Sequence, residues 1–212
     1  MSTGSYAVKE MYFSLQGEGA RTGRPAVICR FSGCNLWNGR EEDRATSPCS
    51  FCDTDFVGTD GPGGGRYSSE DDLALAMLRI WPGSQPPPYV VFTGGEPLLQ
   101  LDPPLIDACH RLGFEVAIET NGTLPAPAGV DWICVSPKPN SPWVQRSGNE
   151  LKIVYPTAVC PDGLEKLDFD YFFLQPLDGP EIQQNTERAI AYCRTHAPWR
   201  LSLQTHKLMG IP

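Results

Sequence analysis

A chain of 212 residues with 41% hydrophobic side chains and no internal repeat is enough for one substantial core, so residues 1–212 read as one domain. Its formal net charge of −8 argues against broad electrostatic binding to nucleic acid or to an anionic membrane. The opening MSTGSYAVKE has no charged start followed by an apolar run, and nowhere do about 18 apolar residues stand together, which points to a soluble, cytoplasmic protein.

The first predicted strand is Ala26–Phe31, an apolar run with β-branched residues. Two polar stretches follow and read as loops rather than linkers: Asn35–Pro48, rich in charge, and Gly58–Ser69, which has almost nothing to bury. Ser69 caps a helix over Glu70–Trp81, where acidic residues open the first turn and Leu73, Ala76, Met77 and Ile80 share a face. A strand at Tyr89–Phe92 precedes a second helix, begun by Asp102 and Pro103 and stopped by Gly113. Strands at Glu115–Ile118, Asp131–Val135, Leu151–Tyr155 and Tyr171–Leu174 come next, then a third helix over Pro180–His196 and a last strand candidate at Arg200–Gln204.

Near-continuous apolar strands alternating with helices suit a parallel sheet with right-handed crossovers. Six strands with three clear helices are too few for a closed barrel. The expected fold is α/β: an abridged, open (β/α) partial barrel with about six core strands and three main helices.

Eight cysteines exceed what packing alone asks for, yet do not form the dense framework of a small secreted protein. Cys29, Cys109, Cys134, Cys160 and Cys193 lie in apolar or helical contexts and read as small packing residues. Cys34, Cys49 and Cys52 instead follow the first strand, in the kind of loop where α/β sheets place active sites. Only three cysteines cluster, one fewer than a ferredoxin cluster or a structural zinc site needs, and three thiolates on four irons leave one iron open to a ligand. From spacing alone, a three-cysteine zinc site completed by a distant histidine, or thiols that merely pack, remain alternatives. The next strand ends in Thr93-Gly94-Gly95-Glu96-Pro97, a glycine pair that admits a close ligand beside a carboxylate that can accept from an ammonium group.

Together with ETNG at Glu119–Gly122 and VSPK at Val135–Lys138, these features resemble the radical S-adenosylmethionine (SAM) superfamily. Within it, SLQGEG at Ser14–Gly19, CRFSGCN at Cys29–Asn35 and CDT at Cys52–Thr54 are similar to the 7-carboxy-7-deazaguanine synthase family, from about Tyr12 to the end of the chain. The resemblance implies a carbon–nitrogen lyase of queuosine biosynthesis, a tRNA modification pathway. Such an enzyme contracts the ring of 6-carboxy-5,6,7,8-tetrahydropterin to 7-carboxy-7-deazaguanine with loss of ammonia, through hydrogen abstraction by the 5′-deoxyadenosyl radical and with assistance from Mg²⁺. One departure is the interval of fourteen residues between Cys34 and Cys49, far longer than the superfamily's usual spacing. Loop closure costs grow only with the logarithm of length, so the 35–48 insertion can still return Cys49 to the cluster, folding into a small helix near Trp37 and Trp81 or Trp143.

The resemblance also implies a ligand set. Cys34, Cys49 and Cys52 would hold a [4Fe–4S] cluster. SAM would be held by Gly95, Glu96, Ser136, Pro137, Lys138 and the QPLD of Gln175, Pro176, Leu177 and Asp178, with Phe51 on its adenine. The pterin would meet Leu15, Gln16, Gly17, Glu18, Arg30, Thr93, His206 and the carboxylate of Pro212, and Thr54 would ligate the Mg²⁺. Read as residues alone, Lys138 is also a surface lysine, Asp178 a helix cap, Arg30 half of an internal salt bridge, Thr54 a loop residue, His206 structural and the tail a cover for an apolar patch. The implied partners are an electron donor such as flavodoxin or ferredoxin and a second copy in a homodimer. A glycyl-radical activating enzyme lacks the SLQGEG entry, and a non-catalytic iron–sulfur or zinc protein needs a fourth ligand that the nearby sequence does not show.

Overall fold

The computed structural model describes residues 5–83 and 87–212. Among the described residues nine strands form one sheet in the order β3-β1-β2-β4-β5-β6-β7-β8-β9, where β1 is Tyr6–Leu15 and β3 is Gly65–Tyr67. Seven of them run parallel: β2 (Pro25–Phe31), β4 (Tyr89–Gly94), β5 (Glu115–Thr120), β6 (Trp132–Val135), β7 (Ser147–Tyr155), β8 (Asp168–Pro176) and β9 (Arg200–Leu201). The six central ones are those expected from the apolar runs. The last candidate shrinks to two residues, because Ser202 onward turns across the mouth of the sheet into a short helix, α4 (Thr205–Met209).

Two strands were not anticipated. In β1 (Tyr6–Leu15) the charged Lys9 and Glu10 interrupt the apolar pattern, but the strand pairs antiparallel with β2 from Val8↔Phe31 to Leu15↔Pro25. Gly65–Tyr67, inside the stretch expected to be a loop, forms β3 by pairing with Tyr6–Val8. The nine strands do not close, since β3 and β9 are both edges among the described residues.

Alternation along the strands sorts the two faces. Val90 and Phe92 of β4 point outward to a core shared with α1 (Glu70–Ile80) and α2 (Pro103–Arg111), while Tyr89 and Val91 point inward against Ala26 and Ala117. Leu151, Ile153 and Leu174 pack outward in a second core with α3 (Ile182–Thr195). Ser69 accepts from the Asp72 amide and Asp102 from the Leu105 amide, so both expected caps are in place. Helix α3 begins later than expected, with Glu181 at its cap, so Asp178 does not cap it.

At the amino-terminal ends of the strands the Arg24 guanidinium lies 3.9 Å over the Tyr89 ring and that of Arg21 lies 3.9 Å over Trp132. Both arginines pair with Glu115, which plugs this end of the barrel and leaves the interior open at the carboxyl ends. Of the cysteines assigned to packing, Cys29, Cys109 and Cys134 are buried and Cys193 is half-buried. Cys160 corrects that reading: it is exposed, beside Asp162.

Candidate functional site

The carboxyl ends of the parallel strands surround a cavity of about 510 Å³, large enough for a nucleoside-sized molecule and a second small ligand side by side. Its cysteine wall is built by interlocking strand ends. The Gly33 amide donates to Phe56 O at 3.0 Å, and the Gly33 carbonyl accepts from the Glu96 amide at 3.0 Å. A Cβ on Gly95 would fall 2.2 Å from that carbonyl oxygen, so only glycine lets the strand end pass so close to the cysteine loop. The ETNG turn finishes the lock, with Asn121 donating to Asn35 Oδ1 at 3.0 Å and Asn35 to Thr123 Oγ1 at 2.7 Å.

Glu96 is fully buried. Its carboxylate accepts from Thr120 Oγ1 at 2.7 Å, the Asn121 amide at 2.8 Å and the Leu98 amide at 3.0 Å. The carboxylate ties β4, the ETNG turn and the following 3₁₀ turn together, and it lies close enough to the cavity-lining Cys34 and Lys138 to act on both electrostatically. Burial lifts its pKa and those three donors oppose the lift.

Cys34, Cys49 and Cys52 all line the cavity. The Cys49 thiol donates to the Cys52 sulfur, which lowers Cys52 to about 6 against the opposing effect of burial and raises Cys49; burial raises Cys34. Lys138, whose Nζ donates to Ser136 Oγ at 2.7 Å, favours the thiolate form of both Cys49 and Cys52. Among the described residues no three Cys, His, Asp or Glu side chains crowd around one point for a single ion. A cubane cluster asks something else of its ligands, that each thiolate face the same space and hold a different iron, and three cysteines lining one cavity fit it. The insertion that separates them contains a 3₁₀ helix, Glu41–Thr46, and Trp37 packs edge-on to Phe56 and under Arg44 rather than on Trp81 or Trp143.

Charged groups also reach into the cavity from several strands. Arg30 Nε donates to Glu10 Oε1 at 2.9 Å, so the internal salt bridge exists, yet the guanidinium also lines the cavity. Lys152 of β7, with only 4% of its side chain exposed, holds Glu18 Oε2 at 2.5 Å and Glu119 Oε2 at 2.8 Å. Burial favours the neutral form of both Glu18 and Lys152, but Lys152 and Gln204 together lower Glu18, and Cys134, Glu119 and Glu18 together raise Lys152.

The chain beyond β9 covers the mouth. Thr205 donates to Gly17 O at 2.9 Å, the His206 ring fills the space where Gly17 lacks a side chain, and Ser14 donates to Pro212 O at 2.7 Å. Burial lowers the pKa of His206. Lys207 bridges Asp53 and Asp178 at 2.5 and 2.6 Å, which gives Asp178 an ion-pair partner. Thr54 faces the cavity between Asp53 and Asp55, and Asp55 is held by Lys9 at 2.8 Å. A threonine hydroxyl is a hard oxygen donor of the kind Mg²⁺ accepts alongside its retained waters.

Every residue singled out in the sequence lines this one cavity except Glu96, buried behind it, and Pro137, between two residues that do. Sequence reasoning missed Lys152, Lys207, Asp53, Gln204 and the carboxylate of Glu119 as parts of the wall. Only Lys152 carried a signal, a lysine inside an otherwise apolar strand, LKIVY.

No family model matches the chain. The 7-carboxy-7-deazaguanine synthase of Bradyrhizobium diazoefficiens is 61% identical over 98% of this chain and 99% of its own length. That of Caulobacter vibrioides is 57% identical over 98% and 100%, and that of Burkholderia multivorans 57% identical over the same shares. Among solved structures, QueE from Escherichia coli superposes with a TM-score of 0.69 at 27% identity, covering 94% of this chain and 93% of its own.

Proposed function

The chain belongs to the 7-carboxy-7-deazaguanine synthase family, and from that premise we propose that its cavity converts 6-carboxy-5,6,7,8-tetrahydropterin to 7-carboxy-7-deazaguanine with loss of ammonia. The observation that carries this reading is the meeting, in one cavity, of three cysteines with a set of carboxylates and an arginine.

Cys34, Cys49 and Cys52 would hold a [4Fe–4S] cluster, and SAM would lie along Gly95, Ser136, Lys138 and Gln175–Asp178, with Phe51 beside its adenine. Bound there, cluster and SAM supply the one-electron chemistry that generates a hydrogen-abstracting radical. The protein contributes placement. Glu18 offers acceptor oxygens to the pterin's N–H edge, Arg30 faces its carboxylate, and Thr93, Leu15, Gln16, Gly17 and His206 frame the ring. Thr54 would give Mg²⁺ an oxygen ligand beside the substrate. The segment from Thr205 to Pro212 excludes water over the site.

On this reading the chain works as a single soluble, cytoplasmic domain, as a homodimer, and draws electrons from a flavodoxin- or ferredoxin-like donor. Among the described residues no helix is long and apolar enough to cross a membrane. Anaerobic incubation of the reconstituted protein with SAM, a reductant, Mg²⁺ and the pterin tests the proposal by mass spectrometry. The deazaguanine is expected; SAM cleavage with the pterin left intact counts against the substrate assignment.

A further inference from the structure

The least expected feature of the cavity is the ammonium group at its floor. Leu151 and Ile153 of β7 are fully buried in the outer core against α3, so the intervening Lys152 must point into the barrel. A lysine in such a place sheds its proton or acquires anionic partners. Here two carboxylates arrive from other strands, Glu18 after β1 and Glu119 at the end of β5. Each is held at a second point, Glu18 by Gln204 Nε2 at 3.0 Å and Glu119 by Gln16 Nε2 at 3.3 Å. A carboxylate has about four lone-pair positions, and these contacts occupy two on Glu18.

The charge count matters as much as the geometry. Two carboxylates around one ammonium leave one negative charge at this wall, and the buried Glu150, two residues before Lys152, adds a third carboxyl beside them whose pKa burial and Glu119 raise. Of the other cations that line the cavity, Arg30 is already matched by Glu10 and Lys207 by Asp53 and Asp178, while Lys138 lies with Ser136 beside the cysteines. The floor therefore presents acceptors and repels the carbonyl edge of a heterocycle. Without the ammonium, two carboxylates would share a buried space, and one would take up a proton and become a donor.

We propose that Lys152 is a positioning residue for the substrate: by clamping Glu18 and Glu119 it keeps Glu18 an acceptor, aimed at the N–H edge of a planar heterocycle. This rests on the pterin reading above. Lys152 itself touches no reacting atom, so its effect belongs in substrate binding rather than in the radical step.

The test compares the parent with K152M, E119Q and K152M/E119Q. The readouts are pterin affinity by calorimetry, SAM affinity, and KM and kcat for the pterin. K152M is expected to weaken pterin binding and raise KM by about tenfold or more, as loss of a charge-assisted contact does, while kcat and SAM affinity stay within about threefold. K152M/E119Q removes one charge of each sign and restores the original net charge, so its KM is expected to fall about threefold or more below that of K152M. A merely structural lysine would not produce that recovery. A KM for K152M less than about tenfold above the parent, or no recovery in the double variant, overturns the proposal. Should K152M fail to fold, the double variant is compared with E119Q, where a rise in KM of about threefold or more supports the clamp and a smaller one refutes it. A parent that binds the pterin but does not convert it counts against the functional reading alone, because calorimetry still reports the effect of Lys152.

Discussion

Replacing Glu96 with alanine should unlock the cysteine wall. The carboxylate accepts from Thr120 Oγ1, the Asn121 amide and the Leu98 amide, at 2.7, 2.8 and 3.0 Å. Each donor left unsatisfied in a buried place costs about 1–3 kcal/mol. Against this stands relief from burying a carboxylate, the cause that lifts its pKa. Three orphaned donors outweigh one relieved group, and a net loss of about 3–5 kcal/mol follows. At this chain length that lowers the melting temperature by about 10 °C. Since the Glu96 amide also holds the Gly33 carbonyl next to Cys34, loosening this corner should lower the iron bound on reconstitution. Thermal melting by circular dichroism and iron analysis read the two effects. A variant within about 1 kcal/mol of the parent and with full iron content would refute the view that Glu96 is a structural lock.

Cys34→Ala, Cys49→Ala and Cys52→Ala should each abolish the cluster absorbance and SAM cleavage, while Cys109→Ala leaves both; equal iron in Cys49→Ala and the parent would remove the long loop's ligand. Thr54→Ala should retain SAM binding but lose the dependence of turnover on Mg²⁺, measured as rate against magnesium concentration; an unchanged response returns Thr54 to a loop role. The Glu18 carboxyl lies below its ordinary value of 4.5, because Lys152 and Gln204 outweigh burial. Its stabilising contribution is therefore complete above 4.5 and is lost as pH falls through the lowered value. Urea unfolding of the parent and Glu18→Gln should accordingly converge on acidification, and a stability gap constant from pH 6 to 3 would contradict this.

The parallel strands were legible because burial on both faces leaves continuous apolar runs, as in Tyr89–Phe92 and Tyr171–Leu174. The strand β1 was not, because Lys9 points to Asp55 and Asp60 and Glu10 to Arg30, partners that no local pattern announces. The glycine-rich Gly65–Tyr67 becomes a strand only through pairing with Tyr6–Val8. The site was legible where side chains meet a ligand's chemistry directly, as with the three cysteines. It was opaque where a residue acts through another, as Lys152 does on Glu18, since those contacts join positions 134 residues apart. For Glu96 the motif gave the position at the strand end but not the three donors that claim its carboxylate.

The most direct test of the central claim is the yield of ammonia during anaerobic turnover of the carboxytetrahydropterin with SAM, reductant and Mg²⁺. The account predicts ammonia and 7-carboxy-7-deazaguanine in equal amounts, with neither formed by the variant lacking Cys34, Cys49 and Cys52. SAM consumption without ammonia, or ammonia released equally by that variant, would contradict it.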